Sequence, residues 1–338
     1  MSTTRSQAGE RSPGRYLVTG GAGYVGSVVA ARLLEEGHEV TVLDDLSTGF
    51  REAVPEGAEF VEGRIQQAAE WVDGSYDAVL HFAAHSQVGE SVQRPEKYWR
   101  NNLSGTVKLL AAMREAGVRR LVFSSTAAVY GEPERSPVTE TDPTQPTNPY
   151  GATKLAVDHM LTGECAAHGL AAASLRYFNV AGAHVAPDGR AYGERHDPES
   201  HLIPLVLQAA QGRRESVSVF GDDYPTPDGT CVRDYIHVTD LAEAHLRALD
   251  AVAPGGHLVC NLGNGNGFSV REVIETVRQV TGREVPVTPA PRRAGDPAVL
   301  VASADRARSV LGWTPRRADL VEIVGDAWQF AQRTEAAR

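Results

Sequence analysis

At 338 residues the chain exceeds one ordinary hydrophobic core and suits two domains sharing an interface, and its 42% hydrophobic and 22% charged residues are those of a soluble globular protein. A net charge of -10 argues against a general nucleic-acid or anionic-membrane surface, and no apolar run approaches the ~20 residues of a membrane span. The three cysteines, Cys165, Cys231 and Cys260, form neither a paired framework nor a metal-spaced cluster, so a reducing, cytoplasmic compartment without a bound metal is expected.

Residues 1–14 are rich in Ser, Arg, Gly and Pro, lack an apolar h-region and read as a disordered tail. Arg15 to Thr19 then reads as a short buried strand, and Gly20, Gly23 and Gly26 open a helix carrying Val28, Val29, Leu33 and Leu34. A strand, a glycine turn and a helix N-terminus are the parts of a dinucleotide phosphate site, where backbone amides and the helix dipole face the anion. The second strand, Glu39 to Leu43, ends at Asp44 and Asp45. An acid there accepts from a ribose 2'-hydroxyl and repels a 2'-phosphate, which favours NAD over NADP.

Further strands are expected at 58–61, 77–82 and 120–124, separated by helical stretches such as 95–116. This alternation predicts a Rossmann-like, doubly wound α/β parallel sheet, with Gly20, Asp44, Ala83 and Ser124 to Thr126 all at the C-terminal ends of strands, where ligands bind. A helix from Tyr150 to about His168 and a strand from Leu170 to Phe178 follow.

Gly182 to Ser200 reads as a long irregular loop, 201–211 as a helix and 216–220 as a strand. The strand at Asp234 to Val238, a helix capped by Thr239 with Asp240 in its first turn, and the strand at 257–262 are expected to return to the first domain. Remaining helices are expected at 270–280, 303–311 and 320–330. The domains are therefore 15–180 with about 234–262 for the dinucleotide, and a smaller mixed unit of 181–233 with 263–330 for the substrate.

The chemistry centres on Ser124-Ser125-Thr126 and Tyr150-Gly-Ala-Thr-Lys154. Lowering a phenol pKa from about 10 to about 7 takes roughly 4 kcal/mol. A lysine four residues on lies on the same helical face. At ~5 Å and an effective dielectric near 20 it supplies roughly 3 kcal/mol, and an oxidised nicotinamide ring can be the second positive charge. A lone Tyr-x-x-x-Lys occurs on many amphipathic helices, so its meaning comes from the motifs around it.

Those motifs, Thr19 to Gly26, Phe123 to Gly131, Tyr150 to Lys154, Arg176 to Asn179 and Asp228 to Val238, resemble the extended short-chain dehydrogenase/reductase family, nearest its UDP-hexose 4-epimerases. The resemblance runs from Arg15 to about Phe330, and Arg292-Arg-Ala-Gly-Asp296 is among its more particular parts. It implies an isomerase that interconverts UDP-glucose and UDP-galactose by transient oxidation at sugar C4, using tightly bound NAD, as a homodimer.

By the same resemblance Tyr150 is the acid/base, Lys154 lowers its pKa and holds the nicotinamide ribose, and Thr126 supplies the hydroxyl that binds the reacting oxygen. The dinucleotide ligands are Gly20, Gly23, Tyr24, Val25, Gly26, Asp44, Ile65, Phe82, Ala83, Ala84, Asn101, Ser124, Tyr150, Lys154 and Tyr177. The nucleotide sugar is held by Thr126, Tyr150, Asn179, His201, Leu202, Val219, Phe220, Arg233, Arg293 and Asp296, with Leu300 near the position that gates the hexose pocket.

Three residues depart from the family pattern. Arg64 stands where an Asp often contacts adenine, Ser86 where some members have a Lys, and His201 where others carry Asn. Ala127 and Ala128 stand where dehydratases of the family place acids, which argues against elimination chemistry. A non-catalytic NAD sensor, the reading from another class, usually lacks part of the Tyr and Lys set that is complete here.

Overall fold

The computed structural model describes residues 13–293 and 295–336; the tail expected over 1–14 lies, up to residue 12, outside the described residues. In chain order the first half contains β1 (Arg15–Thr19), α1 (Tyr24–Glu35), β2 (Glu39–Asp44), β3 (Glu59–Glu62), β4 (Ala78–His81), α2 (Val88–Gln93), α3 (Pro95–Tyr98), α4 (Gly105–Ala116), β5 (Arg120–Thr126), α5 (Pro149–His168) and β6 (Ala171–Tyr177). The second half contains β7 (Asn179–Ala181), β8 (Ala183–Val185), β9 (Ala191–Gly193), α6 (Leu202–Ala210), β10 (Val217–Phe220), β11 (Val232–His237), α7 (Val238–Ala251), β12 (His257–Leu262), β13 (Gly267–Ser269), α8 (Val270–Thr281), β14 (Val287–Ala290), β15 (Val299–Leu300), α9 (Asp305–Leu311) and α10 (Leu320–Ala336).

Seven strands form one parallel sheet in the order β12-β6-β5-β4-β1-β2-β3. The period of two along each strand feeds two separate cores. Tyr16, Val18, Val42, Leu80 and Val122 face one core with Val28 and Leu33 of α1 and Leu241 and Leu249 of α7. Leu17, Leu43, Val79, Leu121 and Phe123 face the other with Leu109 and Met113 of α4 and Val157 and Leu161 of α5. Covering both faces is what makes these strands near-continuous apolar runs. The order reverses between β1 and β4, and this switch point opens the crevice in which such sheets bind dinucleotides.

A third core lies outside the sheet, where Ile203 and Leu207 of α6, Val273 and Val277 of α8 and Ile323 and Val324 of α10 pack together with Tyr235 of β11. β12 joins the edge of the main sheet as expected, but β11 pairs with β7, β13 and β15 instead. Half of its six residues, Arg233, Asp234 and His237, are polar, so no local apolar pattern assigns it to a sheet, and partners far along the chain decide the pairing.

Three local expectations change. The helix expected over 95–116 contains a π-helical turn at Trp99–Ser104, which sets Asn101 and Asn102 toward the sheet edge. The irregular loop at 182–200 contains the antiparallel pair β8 and β9. The α7 helix is capped by His237, whose Nδ1 accepts from the Thr239 amide, so Thr239 sits inside the first turn.

Candidate active site

The turn after β1 is shaped by its glycines. Gly20 has φ +73°, and a Cβ there would stand 2.5 Å from the Ala83 amide nitrogen; a Cβ on Gly26 would stand 2.2 Å from the Gly20 carbonyl oxygen. Only glycine allows that turn and that approach of α1 to β1. Gly23 is the N-cap of α1 and offers no side-chain cap, and no acid lies in the first turn. The amides of Tyr24 and Val25 thus open an anion site with favourable dipole, a fit to a pyrophosphate.

At the end of β2, Asp44 accepts from the Ala22 amide at 3.0 Å and the Leu46 amide at 2.9 Å. Burial raises its pKa, and these two bonds pull it back toward the ionised form. Each carboxylate oxygen keeps lone-pair capacity for a ribose hydroxyl. Phe82, Ala83 and Ala84 follow β4 and are half-buried beside the turn. Ile65 is buried against Gly105, and Asn101 accepts from Gln66 at 3.2 Å. Arg64 approaches the outer acid, Asp45, at 3.7 Å and is exposed.

The reacting groups lie beside this cleft. Lys154 Nζ donates to the Ser124 carbonyl at 2.6 Å and lies 4.7 Å from the Phe123 ring centre and 6.0 Å from that of Tyr150. Burial pushes Lys154 down to about 7, with Asp158 opposing. Burial also raises the Tyr150 phenol, and a hydrogen bond with Thr126 lowers it. The lysine stands beneath the tyrosine ring rather than on its hydroxyl. Ser124 Oγ is hydrogen-bonded to the Tyr177 hydroxyl, and the β5–β6 register sets Thr126 opposite Tyr177.

Besides Thr126 and Tyr150, the groups expected to hold a nucleotide sugar lie on elements outside the parallel sheet. Arg233 bonds Asp296 at 2.9 Å and the carbonyls of Val232 and Pro297, both at 2.8 Å. Arg293 stacks on Phe220 at 3.9 Å, with Val219 beside it on β10. Asn179 pairs in register with Tyr235, and Leu300 with Arg233. His201 caps α6, just before Leu202, and its Nδ1 lies 2.5 Å from the Glu194 carboxylate.

Residues 16–263 match the NAD dependent epimerase/dehydratase family. The chain belongs to that family. It is an NAD-dependent enzyme, and it is similar to a UDP-glucose 4-epimerase of Streptomyces lividans, 68% identical over 322 residues, covering 94% of this chain and 96% of the relative. A crystal structure of UDP-glucose 4-epimerase from Brucella ovis in complex with NAD is 47% identical, covers 94% of this chain and 98% of that one, and has a TM-score of 0.89. The enzyme from Bifidobacterium longum in complex with NAD+ and UDP is 35% identical, covers 96% of this chain and 100% of that one, and has a TM-score of 0.88.

In this family member the sequence pointed to His201 but not to a buried group behind Lys154, nor to the segment before His201. Asp158, one turn beyond Lys154, accepts from Arg176 Nε at 2.9 Å, and Arg176 donates to the Tyr130 hydroxyl, which donates to Asn261. The repeat of four through Tyr150, Lys154 and Asp158 was the available signal. The segment before His201 is 194–200. Arg195 stacks on Phe50 at 3.5 Å and pairs with Glu52 at 3.3 Å, while the Pro198 carbonyl accepts from Gln87 at 3.1 Å. This segment ties the loops after β2 and β4 to the helices of the third core.

Proposed function

We propose that the chain interconverts UDP-glucose and UDP-galactose by transient oxidation of the sugar at C4 with NAD. The observation that carries this reading is the meeting of Thr126, Tyr150 and Lys154 at the strand ends that also hold the glycine turn and Asp44. NAD held by the glycine turn and Asp44 would supply reversible hydride chemistry at C4 and a positive ring beside the tyrosine.

The chain's own groups move the proton and hold the substrate. Tyr150 takes the proton of the 4-hydroxyl and later returns it, while the Thr126 hydroxyl fixes the reacting oxygen. Lys154, in its protonated form, puts positive charge under the phenol and stands by the nicotinamide ribose. Asn179, His201, Leu202, Val219, Phe220, Arg233, Arg293 and Asp296 hold the UDP, so a keto sugar stays tethered while its ring turns over. Arginine suits this task because its fork gives charge-assisted bonds to phosphate oxygens. Binding energy from the non-reacting nucleotide thereby serves the step at C4.

We also propose that residues 15–180 with 234–262 hold NAD and that 181–233 with 263–330 hold the nucleotide sugar. The enzyme works in the cytoplasm as a homodimer through α2 to α5. The exposed Val88, Val92, Trp99 and Val107 on that side support the dimer. Purified enzyme given UDP-galactose deuterated at C4 should yield UDP-glucose with the deuterium retained at C4 and no net NADH. Washout of the label to solvent would sink the hydride mechanism. Tyr150→Phe should keep NAD and UDP binding and lose turnover by about 10²–10⁴-fold; near-normal turnover would remove Tyr150 from its role.

A further inference from the structure

Four side chains of the 194–201 segment converge outside the catalytic trio: Glu194, His196, Glu199 and His201, whose ligating atoms all lie within 4.8 Å of one another. Each histidine turns Nδ1 to both carboxylates. His196 lies 3.3 Å from Glu194 and 3.6 Å from Glu199, and His201 lies 2.5 Å and 3.6 Å from the same two. We propose that this cluster is a tetrahedral divalent-metal site of two imidazole nitrogens and two carboxylate oxygens, suited to Zn2+.

Two observations carry the assignment independently. The first is spacing. Zinc bonds of ~2.0–2.2 Å place tetrahedral ligand atoms about 3.3–3.6 Å apart, and three of the four His–Glu separations already have that length; the fourth is a hydrogen bond that has to open. The second is a missing bond at the centre. His196 Nδ1 is buried and lies 3.3 Å and 3.6 Å from two carboxylates that are themselves only 7% and 6% exposed, yet it completes a hydrogen bond with neither. Two acids buried side by side need positive charge beside them; two protonated histidines can supply it, and one divalent cation shared by all four groups supplies it with the imidazoles neutral. The mixed donor set favours zinc over Mg2+ or Ca2+, which demand six or more oxygens.

The metal's role is structural: it would pin the segment that carries Arg195 on Phe50, and His201, which the proposed function places on the UDP, would ligate through Nδ1 and keep Nε2 for the substrate. The alternative is a metal-free clasp in which both histidines are protonated against the two glutamates.

Tag-free, full-length protein stripped with a chelator and reconstituted with Zn2+ should hold one zinc per chain by elemental analysis. Co2+ in its place should give the intense visible absorption of tetrahedral coordination. His196→Ala and Glu199→Gln should lose both signals, while Ser200→Ala, in the same segment but without a ligand atom in the cluster, should retain them. Zn2+ should raise the melting temperature of the wild type and of Ser200→Ala only. If His196→Ala fails to fold, the near-isosteric Glu199→Gln carries the comparison. No zinc after reconstitution, an octahedral Co2+ spectrum, or zinc retained by Glu199→Gln overturns the proposal and leaves the clasp.

Discussion

Lys154 and Tyr150 share one face of α5, yet the lysine ammonium spends its shortest hydrogen bond on the Ser124 carbonyl and meets the tyrosine through its ring. Its pKa is depressed to about 7 from an ordinary 10.5. Between those two values the unfolded chain binds the proton and the folded one does not, so unfolding free energy rises with pH across that window and the burial penalty is fully present below it. Lys154→Met should flatten this rise, as read from denaturation midpoints at pH 7 and pH 10 on wild type and variant. Thr126 makes the one contact that lowers the phenol. Thr126→Ser should therefore keep most of the turnover and Thr126→Ala should lose about 10²-fold or more, with KM for UDP-galactose less affected than kcat.

Among the elements, β15 illustrates how register fixes specificity. Leu300 pairs with Arg233 and packs near Tyr130 and Leu155, while its neighbour Val301 is buried. That leaves Leu300 and Val299, both half-buried, and the family resemblance favours Leu300 as the residue facing the sugar. Leu300→Ser should raise turnover of UDP-N-acetylglucosamine relative to UDP-glucose; an unchanged ratio places the gate elsewhere. The parallel sheet was legible because its strands are unbroken apolar runs and its first turn is spelled in glycines, both local signals. The partners of β11 were not legible, since no local apolar pattern assigns it to a sheet and β7, β13 and β15 reach it from far along the chain. His237 displaced Thr239 as cap because the helix starts two residues earlier than a threonine cap would place it, and the imidazole Nδ1 accepts from the Thr239 amide in the first turn. Thr126, Tyr150, Lys154, the arginines and His201 came through motif context, whereas Glu194, His196 and Glu199 hid in a stretch whose Pro, Gly and Asp content reads as loop.

At the scale of the molecule, the apolar residues exposed along α2 to α4, Val92 above all at 63%, are the surface that a second copy would cover. Val92→Arg combined with Val107→Glu should convert the enzyme to a monomer in light scattering after gel filtration, with its fold intact by circular dichroism. The segment from 194 to 201 has a different reach. By stacking on Phe50, holding Glu52 and accepting from Gln87, it stitches together the loops that flank Asp44 and Ala84. Loops tied to one strap open together rather than one at a time, so loss of the Arg195 contacts should be felt on both sides of the cleft at once, as faster amide exchange around Asp44 and around Ala84 alike.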